Sequence, residues 1–289
     1  MNYAISVQED TFLHDLALSS PDVVEKVAAL SLEEPQMEAP IVHRFGPGIY
    51  IREMHMKAGA FVIGKVHKHP HMNIVLTGSC VYYTSEGERR EITAPASMVT
   101  PAGRKMAIFL EDTVWLNVYS TDLKDVEAIE KEFFEDSEAL TERESDLASS
   151  YEDVVAVERE DFKEACAYLG LTPEIISEAS SDESDLIPFP DGSYSVMVKP
   201  SMIHGKGLFA TAPIKRGDFI AHARIDGKRT PAGRYTNHSA LPNAEMVMDD
   251  IGNVGLYATE DIGGSLGGLM GDEILVNYID AFLDTRIEE

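Results

Sequence analysis

The chain is poor in cysteine, in basic residues and in long apolar runs, and each scarcity removes a class of function. Cys80 and Cys166 are its two cysteines, far apart and without CxxC spacing, which excludes a disulfide framework and a cysteine-built zinc site. Two reduced core thiols are expected instead. Lys and Arg number 24 against 50 Asp and Glu, a formal charge of -26. Such a surface repels a phosphate backbone and forfeits the counterion release that drives nucleic-acid binding. No nucleic acid is expected as a direct partner; a basic, lysine-rich protein surface is a more natural one. No stretch approaches the about 20 apolar residues of a membrane-spanning helix. The opening MNYAISVQED is acidic rather than basic, so neither a membrane partner nor a signal peptide is expected, and the expected location is cytoplasmic or in a particle assembled there.

With 289 residues, 44% of them hydrophobic, there is material for two cores. Residues 1–40 read as an N-terminal arm: Ser20-Pro21-Asp22 is a helix start, and Val23, Val24, Val27 and Leu30 follow at helical spacing before Pro35 and Pro40. Residues 41–121 carry alternating β-branched and aromatic runs such as IYIREMHM, AFVIGKVH and VWLNVY, the texture of an all-β domain. Residues 122–190 read as an acidic helical linker region. Its helices are LKDVEAIEKEFFED and REDFKEACAYLGL, the second stopped at Gly170, and SEASSDESD follows as a solvated linker. Strand texture returns over 191–289, in SYSVMVKP, GDFIAHARI, VGLYATEDI and EILVNYI. The fold class is therefore mainly β with an acidic helical linker.

In the first β region His67, His69 and His71 stand at alternate positions. On a regular strand they project to one side, where three imidazoles make either a polar network or interface or, alternatively, a donor set for a divalent metal. Gly59, position 65, His67, His71 and Gly78 resemble the first motif of the cupin family, with Lys65 where that family has His and His71 where it has Glu. The second cupin motif is visible at Pro101-Ala102-Gly103, with Met106 in the place of its histidine and Leu110 in that of its asparagine. The runs HKHPHMNIVLTG and TPAGRKMAIFLEDTVW are also similar to cupin-like proteins of tailed bacteriophages. The resemblance implies a cupin-like β-barrel over 41–121 that serves homo-oligomer formation. Trp115 reads as core packing.

Four pieces of the C-terminal region carry a more specific signal: Gly205-Lys206-Gly207-Leu208-Phe209-Ala210, Arg234-Tyr235-Thr236-Asn237-His238-Ser239, Pro242-Asn243, and Gly271-Asp272-Glu273-Ile274-Leu275-Val276-Asn277-Tyr278. Each alone is a common coincidence. In this order, with Ile214-Lys215-Arg216-Gly217-Asp218 and Gly255-Leu256-Tyr257-Ala258 between them, they resemble the SET-domain family of protein-lysine methyltransferases. That resemblance implies a compact SET-type β fold over 191–289 that takes S-adenosylmethionine as cofactor. Gly205, Lys206 and Gly207 would present backbone to the cofactor, Asn237 and His238 would add directional hydrogen bonds, and Tyr278 would be the catalytic residue beside the transferring methyl. Ser239 is expected to order its turn.

The segment between Ile220 and Arg234 is shorter than the family's usual channel-walling insert, and the stretch IGGSLGGLMGDE is longer than the family's connection. Two functions of different class follow. One is a lysine methyltransferase acting on a protein substrate. The other is a phage structural or assembly protein of the virion, whose two β modules are interaction surfaces and whose cofactor pocket is vestigial. A metal-dependent cupin oxygenase is set aside because both ligand sets are incomplete.

Overall fold

The computed structural model describes residues 3–6, 10–33, 37, 39–84, 86–136, 152–264 and 273–285. The chain is mainly β and divides into two compact units, 1–146 and 147–264 with 268–289. The division falls inside 137–151, outside the described residues, and not near 190 as the sequence suggested.

In the first unit, one sheet orders Ile41–Gly46, Ile49–Met56, Thr113–Ser120, His71–Thr77 and Ala96–Thr100 side by side. A second orders Tyr3–Ser6, Ala60–Ile63, Lys105–Phe109, Ser79–Thr84 and Arg89–Thr93. Every pairing given for these strands is antiparallel. The two-residue period of a strand sends successive side chains to opposite faces, and both faces of the second sheet are covered. Val62, Cys80, Tyr82 and Phe109 point between the sheets, where they meet Met54, Met56, Val75 and Trp115. Phe61, Ile63, Val81, Tyr83 and Met106 point outward and pack under Leu13, Leu16, Val24 and Ala28.

Those last four residues belong to the helices Asp10–Ala17 and Pro21–Glu33. The expected arm is thus half of a core. Leu13 and Phe61 are both fully buried, and a buried side chain of this size contributes about 1.5–3 kcal/mol. Gly78, with φ at +82°, closes a turn in which a Cβ would strike the backbone of Asp112 and Thr113.

The expected linker is also divided. Its first helix, Val126–Phe133, is capped by Asp125 and buries Val126 and Ile129 in the first unit. The helices Glu152–Tyr168 and Pro173–Ser181 belong to the second. SEASSDESD is not a solvated tether either. Asp185 accepts two hydrogen bonds from the Arg229 guanidinium at 2.6 and 2.7 Å, and the Asp182 carbonyl accepts from Arg234 at 2.9 Å. These bidentate, charge-assisted contacts fix the segment in spite of its polar composition.

The second unit is built from short sheets. Val196–Pro200 pairs with Lys206–Ala210, and a four-stranded sheet runs Lys228–Arg229, Phe219–Ile225, Val254–Ala258, Ala244–Met248. Asn237–His238 pairs in parallel with Leu275–Val276. That last pairing brings the second and fourth sequence pieces together and positions the site.

Candidate functional site

Two residues of side chain hold the parallel pair in place. Asn243 accepts from the Leu275 amide at 2.8 Å and donates to the Glu273 carbonyl at 2.8 Å, so the PN piece braces the GDE piece. Asn277 then caps the helix Tyr278–Asp284 by accepting from Ile279 and Asp280 amides. The cap sets Tyr278 at the first helical position, with its amide donating to His238 Nδ1 at 3.1 Å and its hydroxyl donating to the Thr236 carbonyl at 3.2 Å.

Around these groups lies a cavity of about 190 Å³. Gly205, Lys206, Asn237, His238 and Tyr278, five residues that the sequence singled out, line it together. Phe162 and Ile176 also line it, and they come from helices that the sequence assigned to a linker. Arg159 secures the first of these helices by donating to the carbonyls of Met202 and Ile203, at 3.1 and 3.4 Å, in the loop before Gly205. The Phe162 ring lies 6.0 Å from Tyr278, edge to face.

Gly207 has a different role from the one expected. It is buried, and a Cβ there would collide with the carboxylate of Glu273 rather than approach a ligand. Gly205, exposed with φ at +54° and open space around it, is the glycine that turns backbone toward the cavity. Asn237 Nδ2 faces the carbonyls of His204 and Lys206, at 3.3 and 3.2 Å, and Glu273 Oε1 at 2.8 Å. Its amide thus fastens the GKG turn to Glu273. Ser239 orders its turn as expected, accepting from the Leu241 amide and donating to Glu158.

Burial sets the electrostatics. The Tyr278 phenol is pushed well above its ordinary value by burial, with Cys166 and Glu273 adding to it, and so stays neutral. Burial lowers His238, against an opposing pull from Asp161. Glu273 is raised by burial in spite of its bonds from Asn237 and Ser201. Lys206 and Arg234 supply positive charge at the cavity, both close to the Tyr235 ring.

The histidines of the first unit do not form the expected face. Residues 64–70 are not a regular strand, and the strand begins only at His71. His67 and His71 turn inward and stack, ring centres 4.0 Å apart and planes 12° from parallel, whereas His69 is exposed and edge-on to Phe133. His67 Nδ1 lies 3.2 Å from the Tyr119 hydroxyl, and His71 Nδ1 faces the His69 carbonyl at 3.3 Å. Burial, and then the Lys105 charge, lowers both, His71 to about 4. Among the described residues no group of three or more His, Cys, Asp or Glu is placed to hold a metal. Met106, matched by sequence to a cupin ligand, packs under the N-terminal helices, while its neighbour Lys105 lines the interior.

No family model matches the chain, and no curated protein matches it in sequence. Similar solved structures include KdgF from Halomonas sp., 21% identical over 27% of this chain and 77% of that one, with a TM-score of 0.24. A cupin-like protein from Thermotoga maritima is 15% identical over 26% of this chain and 59% of that one, with a TM-score of 0.23. A humanized mutant of the Chaetomium thermophilum Polycomb Repressive Complex 2, bound to an inhibitor, is 20% identical over 30% of this chain and 15% of that one, with a TM-score of 0.25.

Proposed function

We propose that the second unit is a SET-type protein-lysine methyltransferase that uses S-adenosylmethionine. The observation that carries the reading is the convergence of Gly205, Lys206, Asn237, His238 and Tyr278, drawn from three separate stretches of sequence, on one cavity. The residues fit the cofactor's chemistry. Lys206 and Arg234 suit a carboxylate, Phe162 and Tyr235 suit the face of a purine, and the backbone at Gly205 offers polar groups at close approach. When bound, S-adenosylmethionine would supply the methyl group.

The chain's own part is orientation. Tyr278 spends its proton on the Thr236 carbonyl, so the phenol oxygen keeps lone pairs for an incoming amine N–H. A neutral, fixed acceptor of this kind holds a lysine amine on line and stabilises charge that develops as it reacts. The formal charge of -26 favours encounter with a lysine-rich protein surface.

The second reading, a structural or assembly protein with a vestigial pocket, draws on two observations. The Asn237 amide is already engaged by three protein acceptors. The cavity of about 190 Å³ is also smaller than the roughly 300–1,000 Å³ of most small-molecule sites.

Calorimetric titration of the full-length chain with S-adenosylmethionine separates the two. The expected result is saturable binding that is lost in His238→Ala. Tyr278→Phe should bind the cofactor as the parent does, yet transfer methyl to a lysine-rich peptide about 100-fold more slowly. Absence of binding in the folded parent protein would give the site to the second reading.

A further inference from the structure

The first unit encloses a cavity of its own, about 60 Å³ in volume, between its two sheets. Its walls are largely apolar, with Met54, Met56, Val62 and Phe109 among them. The polar groups that reach it are unequal in kind. Asn117 Nδ2 donates to Asn73 Oδ1, which also accepts from Trp115 Nε1 at 2.9 Å, so that acceptor is engaged inside the wall. Lys105 and Arg52 are left as donors. Lys105 Nζ and Arg52 Nε are buried and make no hydrogen bond with any described residue.

The local charge is out of balance in the same sense. The Arg52 side chain is 4% exposed, and its Nη1 lies 3.4 Å from Glu130 Oε1. The other oxygen of that carboxylate is 2.8 Å from Lys65 Nζ. One carboxylate therefore answers two cations, and Lys105 is a third. In a chain with about twice as many acids as bases, a cation-rich interior is not a by-product of composition. A buried charge without a partner is destabilising, and burial pulls the Lys105 ammonium down to about 8.

We propose that this cavity binds a small monocarboxylate, its carboxylate neutralising Lys105 and Arg52 and its short aliphatic end lying against Met54, Met56 and Val62. The size argues for a few heavy atoms, since a cavity of about 60 Å³ is far below the roughly 300 Å³ at which sites for larger ligands begin. The apolar walls argue against phosphate, whose remaining oxygens would be stripped of water without replacement. A divalent metal is opposed by the same two cations, and His67 and His71, stacked face to face, do not converge on a point between them.

The test is calorimetric titration of the full-length protein with propionate, inorganic phosphate and zinc chloride in turn, repeated on Lys105→Met. Saturable propionate binding, at least about tenfold weaker in the variant, is the expected outcome. Without propionate, Lys105→Met should melt no lower than the parent, because it removes an uncompensated charge and keeps the length of the side chain. Carbon-13 spectra of the lysine ε-carbons in the parent protein give a readout that does not depend on the variant folding. Propionate should move the Lys105 titration midpoint up. Propionate that fails to bind, that binds Lys105→Met equally, or that leaves the Lys105 midpoint in place would overturn the proposal. So would phosphate or zinc binding in its stead.

Discussion

The two units put their polar residues together in opposite ways. In the first, His67, His69 and His71 are neighbours in sequence, yet the chain disperses them: two rings stack inside and the third faces outward. In the second, Gly205, Asn237, His238 and Tyr278 are spread over more than 70 positions, yet they line one cavity. Closeness along a chain says little about closeness in space unless the backbone between the residues is known. A set of separated pieces, each with its own bracing contact, says a good deal more.

The comparison breaks most visibly under truncation. Removal of residues 1–33 strips Leu13, Leu16, Val24 and Ala28 from a shared core. At about 1.5–3 kcal/mol for each large buried side chain, that loss rivals the 5–15 kcal/mol stability of a whole domain. The first unit of such a variant is expected not to fold, and Trp115, the one tryptophan of the chain and buried in that unit's core, reports it by fluorescence. A fragment that begins at residue 147 should keep S-adenosylmethionine binding, whereas one that begins at 186 lacks Phe162, Ile176 and the Arg159 anchor and should lose it. Equal binding by both fragments would show that the helices are dispensable to the site.

The β texture of both regions was legible because alternation survives wherever one face of a strand is apolar, as in Ile41–Gly46, where buried and half-buried residues alternate. The GKG, NHS, PN and GDE pieces were legible because their order is specific even where each is short. The domain limits were not. Helical, acidic residues such as REDFKEACAYLGL look like a solvated connector, and only the turn of Phe162, Ala165 and Cys166 to one side hints at a packed face. The role of Gly207 was hidden because its neighbour, Glu273, lies 66 positions further on. Lys105 and Arg52 gave no signal, since a cation on a strand is ordinarily solvated, and a shift of one position against Met106 decides which side chain enters the barrel.

Acid should separate the units next. His43 is held down to about 3, by burial first and then by the Arg52 charge, and His71 to about 4, by burial first and then by Lys105. A base whose folded value lies below its unfolded value of about 6.5 takes up its proton more readily when unfolded. Stability from these groups is therefore complete above about pH 6.5 and is lost as pH falls toward 4. The slope approaches 1.4 kcal/mol per pH unit for each histidine. Glu130 adds to the loss at the acid end: burial would raise it, but Lys65 and Arg52 outweigh that and hold it low. Urea unfolding followed by Trp115 fluorescence at pH 7 and pH 5 should show a fall of about 2 kcal/mol per buried histidine at most. A midpoint that does not move between those two values would mean that the first unit's histidines are already solvated.

The smallest effect is the sharpest division of the histidine cluster. His69 is exposed with its ring edge-on to Phe133, while His71 is buried with its ring against His67 and 5.3 Å from Tyr119. Exposed substitutions away from such packing stay within about 0.5 kcal/mol, and His69→Ala is expected to do so. His71→Ala removes a buried ring and leaves the Thr100 hydroxyl without one of its partners, at a cost of about 1–3 kcal/mol. A metal held by all three imidazoles would instead make the two substitutions equal in the presence of zinc. The pair of melting temperatures, each measured with and without the ion, therefore distinguishes three ligands on a strand from two stacked rings and a bystander.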